Sequence, residues 1–182
     1  AEIKVSQTAI HSGFIYAVTS SGIRKGDITK PNLIDYKQWQ VTAAGNWVGI
    51  ASLGIELYAV NATGYVNKYD SGSNIFNGFL QLSEATANFR STADYLIVTT
   101  PNSVLIYNKQ MAFQRQINKD QILEMNSAFS CATMIGDAIF IGTTENGLIT
   151  TTLSGASVFD NITPIGPSRN NIFALQATQN QL

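Results

Sequence analysis

Few side chains in this sequence have the chemistry for catalysis, and they do not form a catalytic set. His11 is the single histidine and Cys131 the single cysteine. A metal centre needs several converging His, Cys or carboxylate ligands. A Ser-His-Asp relay would have to use His11, and no Gly-x-Ser-x-Gly elbow surrounds any serine. No Walker-type phosphate loop is present. His11 precedes Ser12-Gly13 and reads as a surface-turn histidine. Cys131 sits in the apolar run SAFSCATMI (127–135) and reads as a small core residue. The reading assigns no catalytic residue, no metal ligand and no cofactor, and one cysteine excludes an internal disulfide. Asn61-Ala62-Thr63 and Asn161-Ile162-Thr163 match glycosylation sequons, but turn chemistry already explains both asparagines.

The remaining chemistry is that of binding. Guanidinium groups suit the carboxylates and phosphates of an anionic glycan, and aromatic faces pack on sugar rings. Arg90 stands in an inner strand, a position at which small residues are expected and where an alternate side chain would face an axial channel. Its alternative is a structural pair with Asp94 or Glu84. Arg24 and Lys25 open a strand behind Gly22 and are expected to be exposed, as ligands or as an ordinary solvated strand end. Trp39 and Trp47 flank a junction between repeats, as sugar platforms or as packing. The candidate ligand-binding residues are therefore Arg90, Arg24, Lys25 and Trp39.

The elements that must carry them are strands. Residues 138–152, AIFIGTTENGLITTT, read as a β-hairpin, since Asn and Gly tolerate the positive φ of a tight turn. The same unit recurs. Ile15, Leu57, Leu96, Ile139 and Leu182, each from the second strand of a cycle, are spaced by 42, 39, 43 and 43 residues. Four short strands per period of about 40–45 residues is the pattern of a β-propeller blade. The prediction is an all-β chain of about four blades of four antiparallel strands, at 3–42, 47–82, 86–117 and 127–162, with a fifth beginning at 171–182. A β-sandwich or an irregular barrel is the alternative. First strands should carry small residues, here Gly49, Ala51, Ala87, Ala128, Ala132 and Ala174, and second strands should be continuous apolar runs. The segment NKDQILEM (118–125) interrupts the series, with Ile122, Leu123 and Met125 on one side of a short helical turn. There is no Trp-Asp dipeptide and no Asp-box. A pattern that starts and stops within a repeat reads as a piece of a larger propeller, whose open sheet edges invite self-association.

Composition narrows the function class. Of 182 residues, 45% are hydrophobic and 13% charged, against about 25% charged in an average domain. A formal net charge of -1 provides no bulk attraction to nucleic acid or to an anionic membrane. No run approaches the roughly 18 apolar residues of a membrane helix, and the N-terminal AEIKVSQTAI lacks the regions of a signal peptide, so any such peptide is expected to have been removed.

Three stretches together resemble a known family. In GFIYAVTSSGIRKGDITKPNLIDYKQWQ (13–40) a hairpin leads into Asn32, Leu33, Ile34, Asp35 and Tyr36 and then Trp39. NSVLIYNKQMAFQRQI (102–117) is similar to a second blade. NGLITTT (146–152) precedes ITPIGPSRNNIFAL (162–175), with its Thr-Pro, Gly-Pro and Asn-Asn. Their order and spacing resemble the PorZ-like N-terminal β-propellers of Bacteroidetes type IX secretion. The resemblance implies a non-enzymatic protein of the cell surface or outer membrane. Such a protein would present anionic lipopolysaccharide to a sortase and work beside the surface protein partners of the attachment complex. It also implies a second propeller and a C-terminal sandwich domain, neither of which lies in these 182 residues. Two alternatives stay open. One is the periplasmic propeller of a two-component sensor, which shares the Gly-Leu hairpin. The other is a propeller-fold glycan lyase or hydrolase, which needs paired carboxylates or a histidine at its site.

Overall fold

Runs such as FIYAV, ELYAV, YLIVT and AIFIG carry apolar residues at successive positions, so they are stable only where both faces of a strand are covered. In the computed structural model, which describes residues 3–123, 125–155, 158–163 and 170–177, these runs become the second strands of four four-stranded antiparallel meanders. The chain divides into two compact units, Ala1–Thr86 and Ala87–Leu182.

The first unit holds two sheets. One is β1 (Val5–His11), β2 (Phe14–Thr19), β3 (Gly22–Asp27) and β4 (Trp39–Ala43). The other is β5 (Trp47–Leu53), β6 (Glu56–Asn61), β7 (Tyr65–Asp70) and β8 (Ile75–Gln81). Tyr16, Val18 and Ile23 of the first sheet pack with Ile50, Leu57, Ala59 and Tyr69 of the second in one apolar cluster. The second unit repeats the plan. Its sheets are β9 (Asn88–Ser91), β10 (Tyr95–Thr99), β11 (Ser103–Asn108) and β12 (Phe113–Asn118), then β13 (Phe129–Ile135), β14 (Ala138–Thr143), β15 (Leu148–Thr152) and β16 (Asp160–Ile162). Ile97, Val104, Ile106 and Ile117 meet Phe129, Met134, Ile139, Ile141 and Ile149. This is an all-β architecture of β-propeller type with four blades.

The repeat reaches below the level of strands. The pairing of first and second strands slips at Val5/Gln7, Trp47/Gly49 and Phe129/Cys131. The pairing of third and fourth strands slips at Ile23/Arg24, Val66/Asn67 and Ile106/Tyr107. Bulges at matching places in successive sheets bend the strands alike and re-aim the side chains beside them.

The turns follow their residue chemistry. Asn61 Oδ1 accepts hydrogen bonds from the backbone N–H of Thr63 (3.1 Å) and Tyr65 (2.9 Å) and from the Thr63 hydroxyl (2.8 Å). Gly64 follows at φ +79, where a side chain would be strained. The inserted segment after β12 forms a 3-10 turn, Lys119–Gln121. Ile122 and Met125 pack onto the core, but Leu123 is 91% exposed, so only two of its three apolar residues share a side.

Two sequence expectations are revised. Of the small residues assigned to first strands, Gly49, Ala51 and Ala132 are buried within strands. Ala87 and Ala128 precede their strands, and Ala174 lies in a segment without strand pairing. Residues 171–177, read as the opening of a fifth repeat, carry no strand. Instead Asn170 bridges Asn146, and the Ile172 N–H donates to the Thr143 carbonyl (2.9 Å). Residues 178–182 lie outside the described residues.

Candidate ligand-binding site

Arg90 is placed by strand register. It is the third residue of β9, opposite Ile97, and Ile97 is opposite Ile106. Arg90 therefore shares the face of its sheet that packs on the fourth sheet. The strand ends in a compact turn. Thr92 Oγ1 accepts from the N–H groups of Tyr95 (3.2 Å) and Asp94 (3.4 Å), and the Thr92 N–H donates to the Tyr95 carbonyl (2.8 Å). This turn and the β13–β14 turn at Gly136 enclose a cavity of about 380 Å³, lined by Arg90, Ser91, Thr92, Tyr95 and Thr133 among others. The structure thus places Arg90 between two neighbouring sheets of one unit.

Asp94, proposed from sequence as its partner, holds Lys109 instead (2.8 Å). That pair is largely solvent-exposed and sets Asp94, a carboxylate that lines the cavity, beside the Lys109 cation. Arg90 itself makes no hydrogen bond or ion pair among the described residues. Its charge is felt nearby. Burial pushes the Cys131 thiol up, and the Ser130 hydroxyl and the Arg90 cation only partly oppose it. Cys131 is buried and stays a thiol, as its core setting suggests.

Arg24 and Trp39 come together elsewhere, on the face of the first sheet turned away from the first unit's core. Arg24 pairs across to Val41 beside the bulge, and Trp39 pairs to Gly26. A Cβ on Gly26 would lie 3.1 Å from the Leu33 side chain and 3.3 Å from the Trp39 ring, so the glycine admits the indole. The indole N–H donates to the Leu33 carbonyl (2.8 Å), which locks the ring. The result is a pocket of about 220 Å³ lined by Arg24, Trp39, Tyr36, Ile34 and Val5 among others. Tyr36 and Ile34 were not singled out as site residues. They sit in a loop ordered by Asp35, whose carboxylate accepts from the Lys37 N–H (3.0 Å), and Gly26 two residues before the loop was the available hint.

Lys25 points the other way, because neighbours on a strand alternate faces. It is half-buried, as is Arg24, where both were expected to be exposed. The two pack on opposite faces of a sheet rather than ending a solvated strand. The Lys25 ammonium lies 4.0 Å from the Phe14 ring centroid and donates to the Tyr69 hydroxyl (3.2 Å) and Asn74 Oδ1 (3.4 Å). These partners make it part of the packing. His11 also departs from expectation. It is half-buried at the end of β1, edge-on to Tyr16 (6.3 Å) and Tyr69 (6.4 Å). Burial lowers its pKa, with Glu56 opposing and Lys25 reinforcing the shift. Trp47 packs against the first unit's core beside Phe76.

Four antiparallel four-stranded meanders with a repeated bulge define a β-propeller-type fold. Solved structures of that kind are among those to which the chain is similar. It matches PorZ, an essential bacterial surface component of the type IX secretion system of Porphyromonas gingivalis, at TM-score 0.70 and 18% identity over 97% of this chain and 23% of that one. It matches YCF48, solved bound to D1 peptide, at 0.65 and 14% over 98% of this chain and 58% of that one. It matches BamB from Moraxella catarrhalis at 0.52 and 14% over 75% and 39%. The chain thus spans between 23% and 58% of the length of these proteins, and identities this low speak for the fold alone. No family model and no curated protein matches the sequence.

Proposed function

We propose that the chain is a non-catalytic binding module of a PorZ-like surface protein, and that it holds an anionic polysaccharide of the lipopolysaccharide type at the Arg90 cavity. The observation that carries the proposal is a guanidinium without an ion-pair partner among the described residues, set in a cavity among hydroxyl-bearing side chains. Such a group gains from a carboxylate or phosphate, which it meets with two parallel N–H donors. Thr92 and Ser91 beside it add neutral hydrogen-bonding capacity for sugar hydroxyls. A binding role also fits the two residues that an enzymatic reading would need. His11 is packed against tyrosine rings with its charged form disfavoured, and Cys131 is a buried thiol. The likeness to PorZ supports the surface setting and the type IX link.

The test is a calorimetric titration of purified anionic lipopolysaccharide into the wild-type chain and Arg90→Met at low and high salt. The proposal expects binding that weakens with salt and falls at least about tenfold on substitution, the order of one charge-assisted contact. Equal, salt-independent binding by both proteins contradicts it.

A further inference from the structure

An amine and an amide from distant parts of the sequence meet at one corner of the first unit. Lys25 lies in β3 of the first sheet, and Asn74 is the last residue of the turn between β7 and β8 of the second. The Lys25 ammonium donates to Asn74 Oδ1 at 3.4 Å, between residues 49 apart in the chain. The Tyr69 hydroxyl donates to the same oxygen at 2.5 Å and accepts from Lys25 at 3.2 Å. One side-chain carbonyl thus has a hydroxyl donor on its oxygen and a primary amine beside it.

Both partners are held in place. The ammonium lies 4.0 Å from the Phe14 ring centroid, with the Tyr16 and Tyr69 rings at 5.6 and 5.7 Å. It forms no ion pair among the described residues, so no carboxylate holds it away from the amide. On the other side Asp70 fixes the turn, accepting from the Gly72 N–H (2.9 Å) and the Ser73 hydroxyl (2.7 Å). Asn74 follows at φ +58, a conformation asparagine adopts more readily than most residues. Fixing two reacting groups at this range turns a chance encounter into an intramolecular step, which raises its rate by orders of magnitude. An amide is a poor electrophile, and a donor placed on its oxygen, where negative charge develops, is what activates it. Tyr69 supplies that donor.

We infer that Lys25 and Asn74 join in an intramolecular isopeptide bond, with the Tyr69 hydroxyl stabilising the oxyanion on the way. Solvent hydroxide, which reaches this corner because Asn74 is exposed, takes one proton from the Lys25 ammonium and frees its lone pair. That pair forms a bond to Asn74 Cγ while the carbonyl π electrons move onto Oδ1. When the carbonyl forms again, the Cγ–Nδ2 bond breaks, and the nitrogen leaves as ammonia with the proton that the lysine nitrogen sheds. No oxidant and no cofactor enters. The product ties the third strand of the first sheet to the fourth strand of the second. It constrains the unfolded chain as a disulfide does, in a sequence whose single cysteine forms no internal disulfide.

The test is mass spectrometry of the purified wild-type chain, fresh and after several days at mildly alkaline pH. The expected result is the loss of one ammonia per chain and a tryptic product in which the peptide containing Lys25 is joined to the peptide containing Asn74, uncut after Lys25. Lys25→Arg keeps a cation over the rings but offers no nucleophilic amine. Asn74→Gly suits the positive φ but has no acyl group. Neither variant should form the link, and urea midpoints check that both fold. Tyr69→Phe keeps the ring and should slow the linkage at least tenfold. Lys25 and Asn74 in separate tryptic peptides of the incubated wild type overturn the inference, a result that depends on no variant. So does ammonia loss that fragment spectra place only at another asparagine, such as Asn77 before Gly78. A link to Lys25 that persists in Asn74→Gly, or linkage at an equal rate in Tyr69→Phe, overturns it as well.

Discussion

Replacing Gly22 by alanine probes the pairing that builds the first sheet. Gly22 begins β3 at φ +123, and a Cβ there would lie 2.2 Å from the Ala43 carbonyl oxygen and 3.0 Å from the Ala44 Cα. The obstacle is backbone, so no rotamer change relieves it. A carbon–oxygen contact needs about 3.3 Å, so β3 and β4 must part by roughly an ångström at the Ile23–Ala43 pair. The backbone strain of an alanine at such a φ is about 1–3 kcal/mol. Forcing a methyl into filled space adds about 1–3 kcal/mol, for a total of roughly 2–6 kcal/mol. Gly54→Ala is the control. Gly54 has φ +59 and nothing within 4 Å of its would-be Cβ, so it carries only the left-handed penalty of about 1–2 kcal/mol. Urea unfolding followed by tryptophan fluorescence compares the two. The account expects Gly22→Ala to lower the midpoint clearly more than Gly54→Ala, with little change in slope. Equal losses would mean that β3 and β4 do not meet in this register.

Two further predictions concern ionisable groups. Burial holds the folded-state pKa of His11 below 6.5, so the unfolded chain binds the proton more readily. Stability is full above about pH 6.5 and is lost as pH falls from there toward the folded-state value, below which it levels off. His11→Gln should flatten the urea midpoint between pH 7 and 5, and an unchanged slope would refute the assignment. Cys131 should react slowly with a disulfide reagent at neutral pH, since it is buried and its thiol is held up in pKa. Gly142→Ala should speed that reaction, because the new methyl would lie 2.7 Å from the Ile172 side chain and 2.8 Å from the Cys131 sulfur and must displace one of them. An unaltered rate would show that Ile172 does not cover this sulfur.

The fold was legible because its signals are local. Each second strand is an apolar run, most turns carry Gly, Asn or Pro, and the spacing of Ile15, Leu57, Leu96 and Ile139 counts the repeats. What escaped was set by contacts distant in sequence. His11 was read as a turn residue because Ser12-Gly13 follows it, whereas its partner Tyr69 comes from the next sheet. Arg24 and Lys25 looked alike as adjacent cations. Strand alternation sends one toward Tyr69 and the other into the Trp39 pocket, and only the fold tells which face is covered. Arg90 stands out in the sequence as a long cation in an inner strand, where small residues are expected. Its surroundings, a cavity between two turns with Asp94 diverted to Lys109, depend on how the third and fourth sheets pack.

The proposed binding module meets a ligand anion at Arg90. A crystal structure of the chain soaked with an oligosaccharide released from anionic lipopolysaccharide tests it most directly. The account predicts a carboxylate or phosphate within hydrogen-bonding distance of the Arg90 guanidinium, with sugar hydroxyls toward Ser91 and Thr92. Density for the saccharide elsewhere on the chain, with the Arg90 cavity holding only water, would contradict it.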